Sequence, residues 1–165
     1  LLPLVPLVPL AAHAAVDGVV PLAAFPREQI AIETRSSFRR LLFEAWRADT
    51  LQARAQGFMF VEDAAVRPDQ AMIFVYEPPQ RVSMWMKNTV MSLDMLFVDE
   101  RGCVVNVRER AQPGSLANIS SGVPVVLVVE LKAGTVARHG LQRGDRVLRL
   151  DAGWPREAAA CRSAA

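Results

Sequence analysis

The sequence predicts an α+β, mainly β fold: a compact, barrel-like, antiparallel-rich sheet with two short helices. Three observations carry this expectation. Short runs rich in β-branched and aromatic residues recur along the chain, separated by turn-forming residues at hairpin-like spacing. Only two segments, 50–56 and 134–139, are rich in helix formers and end on a glycine. The run 123–131 is almost wholly aliphatic, as expected of a central strand covered on both faces. Many short strands close most readily into a small barrel or a sandwich, and a barrel with the helices plugging its ends is the preferred arrangement.

Taken in order, 29–34 is a first short strand and 38–48 a second. In the second, alternation puts Leu41, Phe43 and Ala45 on one face and Arg40, Leu42, Glu44 and Trp46 on the other. Asp49 is placed to cap the first helix, which Gly57 ends. Strands follow at 71–76 and 81–86, on either side of a turn at Glu77-Pro78-Pro79-Gln80. The strands 95–99 and 103–108 form a hairpin through Glu100-Arg101-Gly102. A long surface loop at 111–122 leads to the aliphatic strand. The second helix ends at Gly140, and a turn at 141–145 enters the last strand, 146–150.

The chain has 165 residues and 52% hydrophobic content, enough for one core. Its organisation reads as a signal-peptide remnant at 1–15, a linker at 16–28, one globular domain at 29–150 and a disordered tail at 151–165. The first 16 residues are uncharged, built from Leu, Val, Pro and Ala, and contain Ala12-His13-Ala14 before Ala15. A short apolar stretch with a small-x-small ending predicts export to the periplasm or secretion. The stretch is too short, and too rich in proline, for a membrane span, so no stable span is expected in the mature protein. The net charge is +2 with no long basic run, which excludes nucleic acid as an expected partner. Cys103 and Cys161 are expected to be a core thiol and a tail thiol rather than a bridge. With only His139 beyond the leader-like segment, no metal site and no cofactor are expected.

The most informative stretch is Trp85-Met86-Lys87-Asn88-Thr89, followed by Leu93-Asp94-Met95. It belongs to an ordered set with Gly57-Phe58-Met59, Ala71-Met72-Ile73-Phe74-Val75, Ala111-Gln112-Pro113, Glu130-Leu131, Ala133-Gly134 and Gly144-Asp145. With these motifs the chain resembles the domain-of-unknown-function 192 family, small and often exported proteins, over residues 30–148. Met84 stands where the family often has an aromatic, and Val90-Met91-Ser92 where it often has an Ile-Pro pair. The resemblance implies a mainly β fold and no assigned activity.

Read from the residues themselves, Trp85, Lys87 and Asn88 offer an indole, an ammonium and an amide between core-like segments. Such groups must be paired or solvated, since burying them unpaired costs several kcal/mol. One reading pairs Lys87 with Asp94 or Glu130 in a salt bridge, with Asn88 bonding loop backbone. The other makes Trp85, Lys87, Asn88, Asp94 and Glu130 a site for a small anionic or polar ligand, or for a protein segment. Met84, Met86, Met91 and Met95 are closely spaced, but alternation puts Met84 and Met86 together on a face opposite Trp85, as core residues rather than copper ligands. No phosphate loop, nucleophile elbow or Cys-x-x-Cys is present. The expected function is therefore a non-enzymatic binding or accessory module of the cell envelope. A hydrolase with a Lys/carboxylate site at the same place, and a purely structural domain, are the alternatives.

Overall fold

The computed structural model describes residues 18–155 and 161; the leader-like segment 1–15 lies outside them. Among the described residues the strands are β1 (Arg27–Glu33), β2 (Arg40–Ala48), β3 (Gln70–Gln80), β4 (Ser83–Met84), β5 (Leu93–Val98), β6 (Val104–Ala111), β7 (Ile119–Ser120), β8 (Val125–Lys132) and β9 (Arg146–Arg149). The helices are α1 (Leu51–Gln56) and α2 (Thr135–His139). The expectation of a mainly β barrel-like sheet with two short helices is met.

Seven strands form one sheet in the order β6-β5-β8-β3-β2-β1-β9, while β4 and β7 pair separately. Among the described strands only β2 and β3 run parallel, and residues 49–69, including α1, make the crossover that a parallel pair requires. The sheet curls until its ends meet: Cys103, beside β6, bridges Arg146 on β9, and Val104 N–H donates to Asp145 O at 2.9 Å.

Two apolar clusters lie on opposite faces of this sheet. One gathers Ile30, Ile32, Leu41, Phe43, Ala71, Ile73, Leu96, Val104, Val129 and Val147, so it draws on every strand of the curled sheet. The other joins Trp46, Met72, Phe74, Met95, Phe97 and Val128 to Phe58, Met84, Met86 and Met91 from the covering segments. The alternation of β2 separates the clusters as its sequence predicts: Leu41, Phe43 and Ala45 fall in the first, Trp46 and Ala48 in the second.

Several local expectations are corrected. Thr50, not Asp49, caps α1: its Oγ1 accepts from Ala53 N–H at 3.1 Å. β3 runs on through Pro78 and Pro79, where a turn was expected, because Gln80 rejoins β8 opposite Val125 after a register shift. The expected strand 81–86 shrinks to Ser83–Met84, with Met86 N–H donating to Ser115 O at 2.9 Å instead of to a strand. In the described part of the expected linker, 18–28, there is a 3-10 turn at Leu22–Ala24, Phe25 is buried, and the first residues of β1 are already present.

The cysteines and the first residues of the expected tail differ from expectation, while 156–160 and 162–165 lie outside the described residues. Residues 151–155 are structured, with Arg149 and Trp154 exchanging backbone hydrogen bonds at 2.8 and 3.1 Å. Cys161 is joined to Cys103 by a disulfide across 58 residues. Gly102, with φ 82, is needed there: a Cβ would lie 2.8 Å from Val147 O and 2.9 Å from the Pro155 ring.

Candidate functional site

The residues singled out by sequence part into three separate environments. Trp85, Lys87 and Asn88 lie on the exposed connection between β4 and β5. Met86 and Met91 are buried in the cluster beneath and anchor this connection. Met86 to Thr89 forms a turn, closed by Thr89 N–H donating to Met86 O at 3.0 Å. Asn88, its third residue, has φ 54. Asparagine tolerates this left-handed conformation far better than most residues with a side chain, so its backbone alone explains much of its presence. Its carbonyl accepts from Phe60 N–H at 2.8 Å.

The Lys87 ammonium stands 5.2 Å from the centroid of the Trp85 ring. Among the described residues it has no carboxylate partner, so the expected salt bridge to Asp94 or Glu130 is not formed. Lys87, Asn88, Thr89 and Val90 face Pro113, Gly114 and Leu116 across an open depression of about 590 Å³. Leu116 also borders a second depression, of about 330 Å³, with Ser83, Met84, Trp85 and Asn118.

Asp94 is fully buried on β5, beneath a bulge in β6. Its Oδ1 accepts from Arg110 N–H at 2.9 Å and its Oδ2 from Val136 N–H at 2.8 Å. The first bond reaches the bulge, where Arg110 has φ 49, and the second caps the start of α2. Both oxygens are thus committed to main-chain donors. Asp145 repeats the device, accepting from Arg35 N–H and Gln142 N–H, each at 2.8 Å.

Glu130 sits on β8 between Met72 of β3 and Met95 of β5. Its Oε2 is buried without a hydrogen-bond partner among the described residues. A Cβ at Gly57 would come within 3.8 Å of that oxygen and 2.9 Å of the Phe74 ring, so the bare glycine, at φ 51, lets the segment after α1 close over the acid. Burial pushes the Glu130 carboxyl up to about 8. Asp94 pairs with Leu131 while Met95 pairs with Glu130, so the two acids point to opposite faces of the sheet. They do not form a dyad, and neither lines either depression by the Lys87 turn.

Nearby, Tyr76 donates to Met84 Sδ at 3.7 Å, and burial pushes its hydroxyl up to about 12. The Arg54 guanidinium lies 5.2 Å over the Tyr76 ring and bonds Asp49 O and Val75 O at 2.8 and 2.9 Å. No group of three or more His, Cys, Asp or Glu is placed to hold a metal ion among the described residues. Five of the six methionines lie in one core cluster, where thioethers fill space between strands and covering loops.

Sequence reasoning missed two features. Glu28, expected in the linker, is buried in β1 and holds Arg149 through bonds of 2.6 and 2.9 Å. Phe60, Val90 and Leu116 are exposed beside the Lys87 turn. A visible trace of the second was the presence of bulky apolar residues in segments otherwise read as loops.

Comparison with known proteins agrees with this architecture. The chain belongs to the uncharacterized ACR family DUF192, whose model matches residues 32–148. It is similar to a crystal structure from Sinorhizobium meliloti 1021, named only as a candidate transcription regulator, at 37% identity and a TM-score of 0.73. That match covers 76% of this chain and 95% of the other. A protein of unknown function from Novosphingobium aromaticivorans DSM 12444 is 30% identical, again with a TM-score of 0.73, over 82% of this chain and 94% of its own. No curated protein matches the chain.

Proposed function

We propose that this protein is a non-enzymatic ligand-binding or accessory module of the cell envelope, with the Trp85-Lys87-Asn88 turn as its site. One observation carries the reading: a lysine without a carboxylate partner stands over an indole at the edge of an open depression of about 590 Å³. An ammonium so placed attracts an anionic head group, and Trp85, Val90 and Leu116 offer apolar walls to whatever is attached to it. The acids with which Lys87 would form a hydrolytic site are elsewhere, Asp94 committed to backbone and Glu130 enclosed beside Phe74.

The Cys103–Cys161 disulfide supports an exported location, because such bonds persist in oxidising compartments. Arg27, Arg40, Arg47, Arg67, Arg101 and Arg149 are each paired with an acid, and the net charge is only +2, so nucleic acid is not the partner favoured here.

The test is an NMR titration of the full chain with acetate, inorganic phosphate and glycerol phosphate. Saturable shifts centred on 85–90 and 113–116, abolished in Lys87→Met, are the expected result. Shifts that survive in Lys87→Met, or none at the turn with any of the three anions, overturn the assignment.

A further inference from the structure

Three loops are laced together beside the Lys87 turn. Phe60 N–H donates to Asn88 O at 2.8 Å, Gly114 N–H to Thr89 O at 3.0 Å, and Met86 N–H to Ser115 O at 2.9 Å. Each loop then presents apolar side chains to solvent: Phe60 is 45% exposed, Trp85 48%, Val90 51% and Leu116 70%. Their chain neighbours explain why these loops do not fold inward, because Phe58, Met86 and Met91 already occupy the core beneath. The outward positions of a solvated loop would ordinarily be polar, and a cluster of large apolar groups at loop tips marks an interaction surface.

We infer that this face docks the protein on a lipid surface carrying anionic phosphate head groups. Phe60, Trp85, Val90 and Leu116 enter the boundary between head groups and acyl chains, and Lys87 meets a phosphate. The inference rests on the reading of the Lys87 turn as an anion site and names the source of the anion. Charge complementarity supplies one argument: the ammonium is unpaired among the described residues and lies amid the apolar groups. A tryptophan and a lysine side by side suit the interface, where an indole sits at head-group depth and a long cationic side chain reaches outward. Shape supplies the other. The two depressions are open and share Leu116 in their walls, so together they present a broad, shallow face rather than an enclosed pocket for one small ligand.

Sedimentation of the full chain with vesicles of phosphatidylcholine, with and without phosphatidylglycerol, tests the inference. Binding is expected to the anionic vesicles, weakened about fivefold by Lys87→Glu. The double substitution Trp85→Ser/Leu116→Ser should weaken it at least about tenfold. Leu42→Ser, in the ionic cleft of β1 and β2, should leave binding unchanged. Binding that survives the double substitution, as attachment through the apolar segment 1–16 would, overturns the inference. So does equal binding to the two kinds of vesicle. Short-chain phosphatidylglycerol below its micelle threshold separates the two levels. Shifts at the turn with this monomer but no vesicle binding discard the lipid surface and keep the anion site; no response to either discards both.

Discussion

Asp94 and Glu130 are both buried acids on adjacent strands, one residue out of register with each other, yet the fold treats them in opposite ways. Asp94 points to one face of the sheet and gives both oxygens to backbone N–H groups on two other elements. Glu130 points to the other face, among methionine and phenylalanine side chains, with Oε2 unpaired among the described residues. One acid links structural elements; the other is tolerated in the core by giving up its charge. The difference shows that burial alone says little about an acid's role, because what decides it is whether donors come to meet it.

The largest expected effect is the pH dependence that Glu130 supplies, opposed near neutrality by the lowered pKa of His139. Its carboxyl is raised in the folded state from 4.5 to about 8, so the native protein holds a proton that the unfolded chain has released across that window. The stabilisation is complete below pH 4.5 and is lost as pH rises through about 8. A shift of this size corresponds to about 5 kcal/mol. Urea unfolding measured from acid to mildly alkaline pH should show that decline, and Glu130→Gln should flatten it. A wild-type curve with no decline across the window would mean that the acid finds a partner after all.

Asp94 comes next, and its expected loss is one of architecture. Asp94→Ala strands the N–H groups of Arg110 and Val136, and two hydrogen bonds to a carboxylate acceptor amount to about 3–6 kcal/mol. Hydrogen exchange should rise at both the β6 bulge and the start of α2. Asp94→Asn keeps one acceptor and should recover part of the loss. If exchange rises at only one of the two elements, the picture of Asp94 as a link between them fails.

Much of this fold was legible, and the exceptions have physical causes. The faces of β2 and the opposition of Trp85 to Met84 and Met86 follow from alternation, which needs no partner. The two helices were visible through Gly57 and Gly140 at their ends. The role of Asp94 was not visible, because its partners are main-chain groups, present at every residue and marked in none. The Cys103–Cys161 bridge was not visible either, since a separation of 58 residues says nothing about distance in space. Lys87 shows the same limit from the other side. Asp94 and Glu130 were reasonable partners by sequence order, but strand pairing turned the acids to opposite faces and the turn carried the lysine to the surface.

Asn88 sharpens the contrast at about 1 kcal/mol. At φ 54, Asn88→Ala places an ordinary side chain in the left-handed region and should cost about that much, whereas Asn88→Gly should be nearly neutral. The pair separates the asparagine's backbone from its amide. A glycine variant that stays folded but binds phosphate more weakly assigns the amide to the ligand. Unchanged binding leaves Asn88 a conformational role alone.

The smallest effect is expected at Lys87 itself, and its smallness is informative. The ammonium interacts with the exposed Trp85 ring, a contact worth about 0.5–1 kcal/mol, and has no carboxylate partner among the described residues. Lys87→Met keeps an apolar stem on the indole and should therefore unfold within about 1 kcal/mol of the natural protein. Had the lysine been half of a buried pair, removing it would cost about 3–5 kcal/mol, close to the loss expected at Asp94. Chemical denaturation of the two variants side by side distinguishes these cases. A lysine dispensable to the fold, as expected here, stands at the opposite pole from Asp94, whose two hydrogen bonds lie within the protein.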